Sequence, residues 1–355
     1  MLWRWALPAL TMLSLLPSPA LPLHLCRNHS SHPIETSRGS AHLLFMYGDL
    51  RADAGYVDLM IMLASLIELR TCPLHLHFAV DHNLETLLNS SLRDIPYLKY
   101  SYYDDSAIIE AQRTLEPELP SQDIAFKKEL RKASPELLPL PPEANKVLMV
   151  DFDIMFIRDI CSPFFELAKG LENAAAFLSP DASSLYTRSK RQAAYLMPHE
   201  YKWQPSYVGF HSGVVMLNIE QMRASNWTAK YMESLFSPSR SINVFLNNKD
   251  QAIYNMMRRE TNPPIVLFMS PSMNFQMYSK EWRQTFAANF WSKSITIMHG
   301  SRGTFRRENV ILGRLRDLFF FENGGVESKE LCHSMRTNIS FLVFESVTNF
   351  LSNNS

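Results

Sequence analysis

Short apolar segments alternate along the chain with longer segments in which apolar residues recur at helical spacing. In the first half, residues 55–69 and 122–133 have the helical pattern. The segments with the length and composition of strands are HLLFMY (42–47), LHLHFAV (74–80), YLKYSYY (97–103) and KVLMVD (146–151). Strands that alternate with helices are typical of a mostly parallel sheet with helices on both faces, so the pattern predicts an α/β fold.

The second half is more irregular but contains the same kinds of element. Strands are predicted at 174–179, 212–219, 264–268 and 294–299, and helices at 219–235 and 249–259. No linker rich in Gly or Ser separates two domains. The predicted organisation is a signal segment at 1–25, a stem at 26–40, one large domain at 41–325 and a C-terminal extension at 326–355.

Composition and charge narrow the class of protein. Lys plus Arg and Asp plus Glu both number 35, so the chain has no net field that would attract nucleic acid. The hydrophobic fraction of 46% is that of a packed globular protein. A nucleic-acid partner is therefore not expected.

The N-terminus predicts entry into the secretory pathway. Arg4 is followed by an uncharged segment, residues 5–26, which is long enough to act as a signal-anchor with Arg4 on the cytoplasmic side. The alternative is cleavage after Ala20, which would give a secreted protein. Five N-x-[ST] sequons agree with a luminal address, at Asn28, Asn89, Asn226, Asn338 and Asn353. We expect a single-pass type II membrane protein in the lumen of the endoplasmic reticulum or Golgi.

The four cysteines form no C-x-x-C pair, which argues against zinc fingers and thioredoxin chemistry. They are Cys26, Cys72, Cys161 and Cys332. In an oxidising lumen they allow three complete pairings, and the sequence does not choose among them. His75 and His77 alternate on a predicted strand, so they share one face, and we interpret them as a structural pair.

Asp151 and Asp153 follow the predicted strand at 146–151 and are separated by one phenylalanine. Ligands of open α/β sheets bind beyond the carboxyl ends of the strands, which is where this pair lies. Two carboxylates at this spacing can reach one Mn²⁺ or Mg²⁺ ion, while Phe152 points into the core. The alternative is that the pair only forms a turn or caps a helix.

Several segments in order resemble the motifs of the family 8 glycosyltransferases. They are VLMVDFDI (147–154), GFHSGVVMLNIEQMR (209–223), NKDQAIYNMM (248–257), SMNFQMY (272–278) and IMHGSRGTFRREN (297–309). Within the family, the resemblance is greatest to the xyloside xylosyltransferases. It implies a GT-A fold, a UDP-sugar donor, a divalent metal, and transfer to a glycan or glycoprotein acceptor with retention of anomeric configuration.

The resemblance also implies roles for individual residues. His299 would be the third metal ligand beside Asp151 and Asp153. Asp250 and Gln251 match the pair beside the transferred sugar, although Asp250 could equally cap the helix that follows it. The remaining donor-binding positions implied by the family motifs are Lys127, His211, Ser212, Gly213, Asn274, Gln276 and Arg306.

Three departures from the family motifs leave an alternative function open. His211 replaces the usual Asn, Met273 replaces Trp, and the Lys-Pro-Trp segment after His299 is absent, with Arg302, Arg306 and Arg307 in that loop. The predicted function is therefore a metal-dependent xylosyltransferase-like enzyme. The alternative is a relative that has lost catalysis and acts as a luminal scaffold or glycan-binding subunit.

Overall fold

The computed structural model describes the chain between residues 33 and 300, with gaps. The described residues are 33–46, 59, 62–63, 65–79, 85–86, 88–89, 92–104, 106, 108, 110, 131–181, 209–235, 250–258, 261–276 and 295–300. The predicted signal segment, residues 26–32 of the predicted stem and the predicted C-terminal extension lie outside them. Within this part of the chain, no helix has the length and hydropathy to cross a membrane.

A sheet of seven strands forms the centre of the described structure. Its strands are β1 (Ala41–Met46), β2 (Leu74–Ala79), β3 (Leu98–Tyr102), β4 (Lys146–Val150), β6 (Ala176–Pro180), β7 (Phe210–Asn218) and β8 (Val266–Phe268), in the spatial order β3-β2-β1-β4-β7-β6-β8. The pairs β3–β2, β2–β1, β1–β4 and β6–β8 are parallel, whereas β7 runs antiparallel to β4 and β6. The predicted α/β fold with a mostly parallel sheet is confirmed.

A second, smaller sheet lies next to the end of β4. It contains β5 (Ile154–Phe156), β9 (Phe275–Gln276) and β10 (Ile297–His299), with β10 in the middle. β10 pairs antiparallel with β5 and parallel with β9. This sheet brings the C-terminal part of the described chain against the residues that directly follow β4.

The sheet is hydrophobic on both faces because successive side chains of a strand point to opposite sides. Leu43 and Phe45 of β1 belong to one buried cluster, and Leu44 and Met46 belong to the other. Burial on both sides explains why β1 and β4 are almost continuously apolar in sequence, as expected for central strands of a parallel sheet.

Three α-helices have defined bounds: α1 (Cys161–Gly170), α2 (Ile219–Ala224) and α3 (Trp227–Leu235). Residues 65–69 and 250–258 are also helical, as predicted. The prediction of one continuous helix over 219–235 is wrong, because Asn226 adopts the left-handed conformation (φ 52°) between α2 and α3. Asparagine tolerates this conformation better than most residues, and it breaks the helix there.

Helix α3 begins against a buried glutamate from elsewhere in the chain. The Glu136 carboxylate accepts hydrogen bonds from the backbone N–H of Thr228, at 2.9 Å, and from the Thr228 hydroxyl. Burial raises the pKa of Glu136 to about 7, against the opposing effect of the Thr228 hydrogen bonds and the positive charge of Arg223. The protonated carboxyl is thus favoured inside the fold.

One disulfide is present among the described cysteines, between Cys72 and Cys161, with Cα atoms 5.8 Å apart. It joins the chain just before β2 to the first residue of α1. Cys26 and Cys332 lie outside the described residues. The pairing left open by the sequence is therefore determined for Cys72 and Cys161 only.

Candidate functional site

Asp151 and Asp153 lie at the carboxyl end of β4, where the large sheet meets the small one. The Asp151 N–H donates to the carbonyl of Gly213 at 2.9 Å, which continues the β4–β7 pairing by one residue. Phe152 is buried in the core between them, as predicted. The side chains of Asp151 and Asp153 remain partly exposed.

His299 is brought to this pair by the small sheet. It lies opposite Ile154 in the antiparallel β5–β10 pairing, and the next N–H, of Gly300, donates to the carbonyl of Asp153 at 2.8 Å. Its Nε2 is 3.2 Å from Oδ1 of Asp153 and 4.0 Å from Oδ2 of Asp151. One ligand atom from each of the three residues lies within 4.8 Å of the others, so the predicted trio is assembled in space.

The hydrogen bonds of His299 indicate that its imidazole is protonated in the absence of metal. Nδ1 donates to Oδ1 of Asn274 at 2.9 Å, and Nε2 donates to Asp153, so both nitrogens carry hydrogen. Burial opposes the charge, but the carboxylates of Asp153 and then Asp151 outweigh it and raise the pKa of His299. Burial likewise opposes the charge of Asp153, while His299 and Lys132 hold the pKa of Asp153 at about 2.

This donor set fits a divalent cation. Two carboxylate oxygens and one imidazole nitrogen are suitable ligands for Mn²⁺, and the carboxylates also suit Mg²⁺. The Nε2 proton of His299 already lies between the carboxylates, so positive charge is stabilised at that point. Asn274 fixes the ring orientation from the other side, as partners of metal-bound histidines generally do.

Lys132 also contacts the site, and sequence analysis did not identify it. Its Nζ is 2.5 Å from Oδ1 of Asp151, and about a fifth of each side chain is exposed. The implied donor-binding residue Lys127 lies outside the described residues, five positions earlier in the same basic segment. The pattern of lysines and arginines in that segment marks a basic helix but does not tell which residue reaches the carboxylates.

His211 and Asn274 form a second layer behind His299. Nδ1 of His211 accepts the N–H of Gly213 at 3.1 Å and the Asn274 amide at 3.3 Å, so this nitrogen is unprotonated. Burial, reinforced by the charge of His299, holds the pKa of His211 well below its usual value. The histidine that departs from the family motif is therefore a neutral hydrogen-bond acceptor here.

Gly213 is needed at its position because the His299 ring lies directly over its Cα. A Cβ at residue 213 would overlap the Cε1 and Nδ1 atoms of that ring. The family motif implied donor binding for this glycine, and the group that lies against it in the described structure is the imidazole of His299. Ser212, the motif residue directly before Gly213 on β7, is buried.

Asp181 forms a second carboxylate position at the same edge of the large sheet. It directly follows β6, which runs in the same direction as β4, and it accepts a hydrogen bond from Nε2 of Gln251 at 2.7 Å. Asp250 directly precedes Gln251, is the first residue of the helical segment 250–258, and is buried. Sequence analysis missed Asp181, although a carboxylate directly after a strand was the signal that identified Asp151.

Asn274 and Gln276 are among the donor-binding positions implied by the family motifs, and both are fully buried. Gln276 donates from Nε2 to the carbonyl of Pro180 at 2.9 Å, which ties β9 to the end of β6. The described side-chain hydrogen bonds of Asn274 are with His299 and His211. Arg306 and its neighbouring arginines lie outside the described residues.

Comparison with known proteins gives one family match. The model of glycosyl transferase family 8 matches residues 55–300, within the predicted domain at 41–325. The xylosyl- and glucuronyltransferase LARGE2s of Danio rerio is 25% identical over 226 residues, which are 62% of this chain and 28% of that protein. LARGE2 of Homo sapiens is 25% identical over 234 residues, 62% of this chain and 29% of that protein. The chain therefore spans less than a third of the length of the curated relatives it matches.

Solved structures with the same fold include mouse xyloside xylosyltransferase 1 in its apo form. That comparison has a TM-score of 0.57 at 19% identity and covers 75% of this chain and 99% of the mouse chain. An active-site mutant of LgtC gives a TM-score of 0.51 at 13% identity, over 82% of this chain and 95% of that chain. These similarities confirm the predicted GT-A fold.

Proposed function

The chain belongs to glycosyl transferase family 8, and from that membership we propose that it is a metal-dependent, retaining glycosyltransferase that uses a UDP-sugar. The observation that carries the proposal is the convergence of Asp151, Asp153 and His299 at the carboxyl edge of the sheet. His299 is far from the two aspartates in sequence, and the donor atoms of the three residues suit one hard cation. Mn²⁺ is the proposed ion, with Mg²⁺ as the alternative.

The metal-binding residues have a clear division of work. Asp151 and Asp153 supply oxygen ligands, and His299 supplies Nε2 because Asn274 engages its Nδ1. When bound, the cation would neutralise the charge that develops on the diphosphate as the sugar leaves. Lys132 adds a positive charge at the same carboxylates, within reach of an anionic donor.

The sugar would lie toward Asp250, Gln251 and Asp181. The Gln251 amide donates to Asp181, which fixes the orientation of its side chain beside Asp250. Asp250 would accept hydrogen bonds from sugar hydroxyls. We propose retention through attack on the same face from which the diphosphate departs, without a covalent intermediate.

Xylose is the first candidate for the transferred sugar. The LARGE2 relatives are xylosyl- and glucuronyltransferases, and one of the structures with the same fold is a xyloside xylosyltransferase, which supports this choice. UDP-glucose and UDP-galactose are the next candidates. The acceptor is proposed to be a glycan or glycoprotein that contacts aromatic residues outside the described part of the chain: Tyr186, Tyr195, Tyr201, Trp203, Tyr207, Tyr278 and Trp282.

A luminal location, with a membrane contact through residues 1–25, is part of the proposal. The disulfide between Cys72 and Cys161 supports it, since such bonds persist in oxidising compartments. Asn226 of one sequon is exposed between α2 and α3, where a glycan could be carried. The test is protease protection of the chain in intact microsomes, combined with digestion of N-glycans.

The enzyme is distinguished from the scaffold alternative by two measurements on the purified protein. UDP binding is measured by calorimetry with and without Mn²⁺, and sugar transfer is screened against a panel of UDP-sugars and xylosylated, glucosylated and bare acceptors. We expect UDP binding that requires Mn²⁺ and is lost in the Asp151→Asn and Asp153→Asn variants. Full transfer activity in EDTA would contradict the metal role, and a folded protein with no UDP binding would favour the scaffold.

A further inference from the structure

Three histidines form a cluster on β1 and β2, separate from the carboxylate pair at the end of β4. His42 lies level with His75 in the parallel pairing of the two strands, and His77 lies two residues further along β2. Alternate residues of a strand share one face, so the three rings lie on the same side of the sheet. The ring centroids of His75 and His77 are 4.1 Å apart, and those of His42 and His77 are 5.3 Å apart.

One ring nitrogen from each of the three histidines lies close to the other two. Nδ1 of His42 is 3.0 Å from Nε2 of His77, and one nitrogen from each of the three rings lies within 4.8 Å of the others. A cation bound at about 2.0–2.1 Å from each of three nitrogens requires similar spacing between them. Only small movements of the side chains would be needed.

The outward-facing nitrogens of two rings already have partners on and just after β3. Nδ1 of His77 lies 2.9 Å from the hydroxyl of Tyr103, and Nε2 of His75 lies 2.9 Å from Oγ of Ser101. When these nitrogens donate to the two hydroxyls, the opposite nitrogens of the same rings carry lone pairs. Second partners of this kind set the tautomer and orientation of metal-bound histidines.

The three imidazoles are neutral at physiological pH, which is the form that binds metals. Burial, followed by the charge of His75, lowers the pKa of His42 to about 4, and the same causes with His42 lower the pKa of His77 to about 3. Burial and Lys99 lower the pKa of His75. The negative charge of Glu143 acts against these effects, because it raises the pKa of His42 and of His75. One carboxylate therefore lies near enough to offset part of a cation's charge.

We propose that His42, His75 and His77 form a second metal site, selective for Zn²⁺ over Mn²⁺ and Mg²⁺. Three neutral imidazoles without a carboxylate among them suit zinc, copper or nickel, whereas hard cations prefer oxygen ligands. The bound ion would fasten β1 to β2, with β3 holding the outer nitrogens. Its role would be structural, and it would be additional to the transfer reaction.

The two sites share no ligand and differ in chemistry. Leu43 of β1 pairs with Leu148 of β4. His42 lies one residue before Leu43, and Asp151 lies three residues after Leu148. The two residues are thus offset by about 13 Å along the strand direction. Each site can therefore be removed without deleting a ligand of the other.

The test uses the full-length purified protein, stripped with EDTA, in a variant that lacks the carboxylate site, Asp151→Asn with Asp153→Asn. Zn²⁺ binding is measured by equilibrium dialysis, and Co²⁺ is used as a spectroscopic probe of the ligand field. We expect one Zn²⁺ per chain, a visible absorption typical of four-coordinate Co²⁺, and a rise in Tm of about 5 °C at a hundredfold excess of Zn²⁺ over Kd.

Two further variants in the same background identify the ligands. His75→Gln, at a half-buried position, is expected to weaken Zn²⁺ binding by about 100-fold or more. Ser101→Ala removes the hydroxyl that contacts Nε2 of His75 and leaves all three proposed ligands in place, and it is expected to weaken binding by about 10-fold. In an otherwise wild-type chain, His75→Gln should leave Mn²⁺-dependent UDP binding intact. Absence of Zn²⁺ binding when only the carboxylate site is removed, or full Zn²⁺ affinity in the folded His75→Gln variant, would overturn the proposal.

Discussion

Gly213 and His299 lie so close together that the glycine cannot carry a side chain without moving the histidine. A Cβ on Gly213 would overlap two atoms of the imidazole, and the displaced ring would lose its hydrogen bonds to Asn274 and Asp153. The absence of a side chain on β7 thus positions the one nitrogen ligand of the proposed metal site.

The Gly213→Ala variant should therefore bind Mn²⁺ about 10–100-fold more weakly, as expected when the support of a metal-bound histidine is disturbed. Isothermal calorimetry and Mn²⁺-dependent UDP binding measure the effect. The matched control is Gly170→Ala at the end of α1, away from the site. Its Cβ would lie 3.1 Å from the edge of the Phe177 ring of β6. Equal Mn²⁺ affinity in the two folded variants would show that His299 is not a ligand.

Asn274 gives a second prediction, because its two roles can be separated. Asn274→Asp keeps an oxygen for Nδ1 of His299 but loses the N–H that reaches His211, whereas Asn274→Ala loses both. Mn²⁺ affinity should fall about 10–100-fold in the alanine variant and less in the aspartate variant. If the alanine variant instead keeps its Mn²⁺ affinity and only KM for the UDP-sugar rises, the donor-binding role implied by the family motifs is supported.

Lys132 competes with a cation for Asp151, so its removal should act in opposite directions on two ligands. Lys132→Met should bind Mn²⁺ several-fold more tightly in the absence of nucleotide, since the ammonium 2.5 Å from Oδ1 is gone. The same variant should bind UDP more weakly at saturating Mn²⁺. Lys146→Met, at the opposite end of β4, is the matched control and should change neither affinity; an unchanged Mn²⁺ affinity in Lys132→Met would refute the competition.

Glu136 predicts a pH dependence of stability. Its pKa is raised from 4.5 to about 7 in the fold, so the folded state binds a proton that the unfolded state has released. The bound proton contributes about 3 kcal/mol to the free energy of unfolding. This stabilisation is fully present below pH 4.5 and is lost as the pH rises toward 7.

Thermal unfolding across that pH window measures the effect. The Glu136→Gln variant does not ionise and should have a Tm that declines less steeply than that of the wild type. Glu220→Gln on the exposed face of α2 is the control and should follow the wild-type curve. Parallel curves for Glu136→Gln and wild type would show that folding does not raise the pKa of Glu136.

The sequence predicted the features that depend on local pattern. Strands buried on both faces are continuous apolar segments, so β1, β2 and β4 were identified within one or two residues. Asp151 and Asp153 were identified because they end such a strand. His299 was identified as a metal ligand through the resemblance to a family. A lone histidine after a short strand would not have indicated that role.

The features that the sequence missed depend on contacts between distant segments. The hydrogen bond from Asn274 to His211 and the contact of Lys132 with Asp151 require the small sheet and the segment at 131–134 to pack against β4 and β7. No periodic pattern encodes such contacts. The break at Asn226 was missed because helical apolar spacing continues across it, and only the backbone conformation of one residue ends α2.

The bond between Cys72 and Cys161 has a consequence for the covalent topology of the protein. It closes a ring that contains β2 through β5 and both Asp151 and Asp153, whereas His299 is contributed by chain outside the ring. A single proteolytic cut within the ring would release no fragment, and the aspartates would stay tethered. After a cut between α1 and β10, no disulfide among the described cysteines would join His299 to the aspartates, and the pairing of β10 with β5 would help to hold the two parts together.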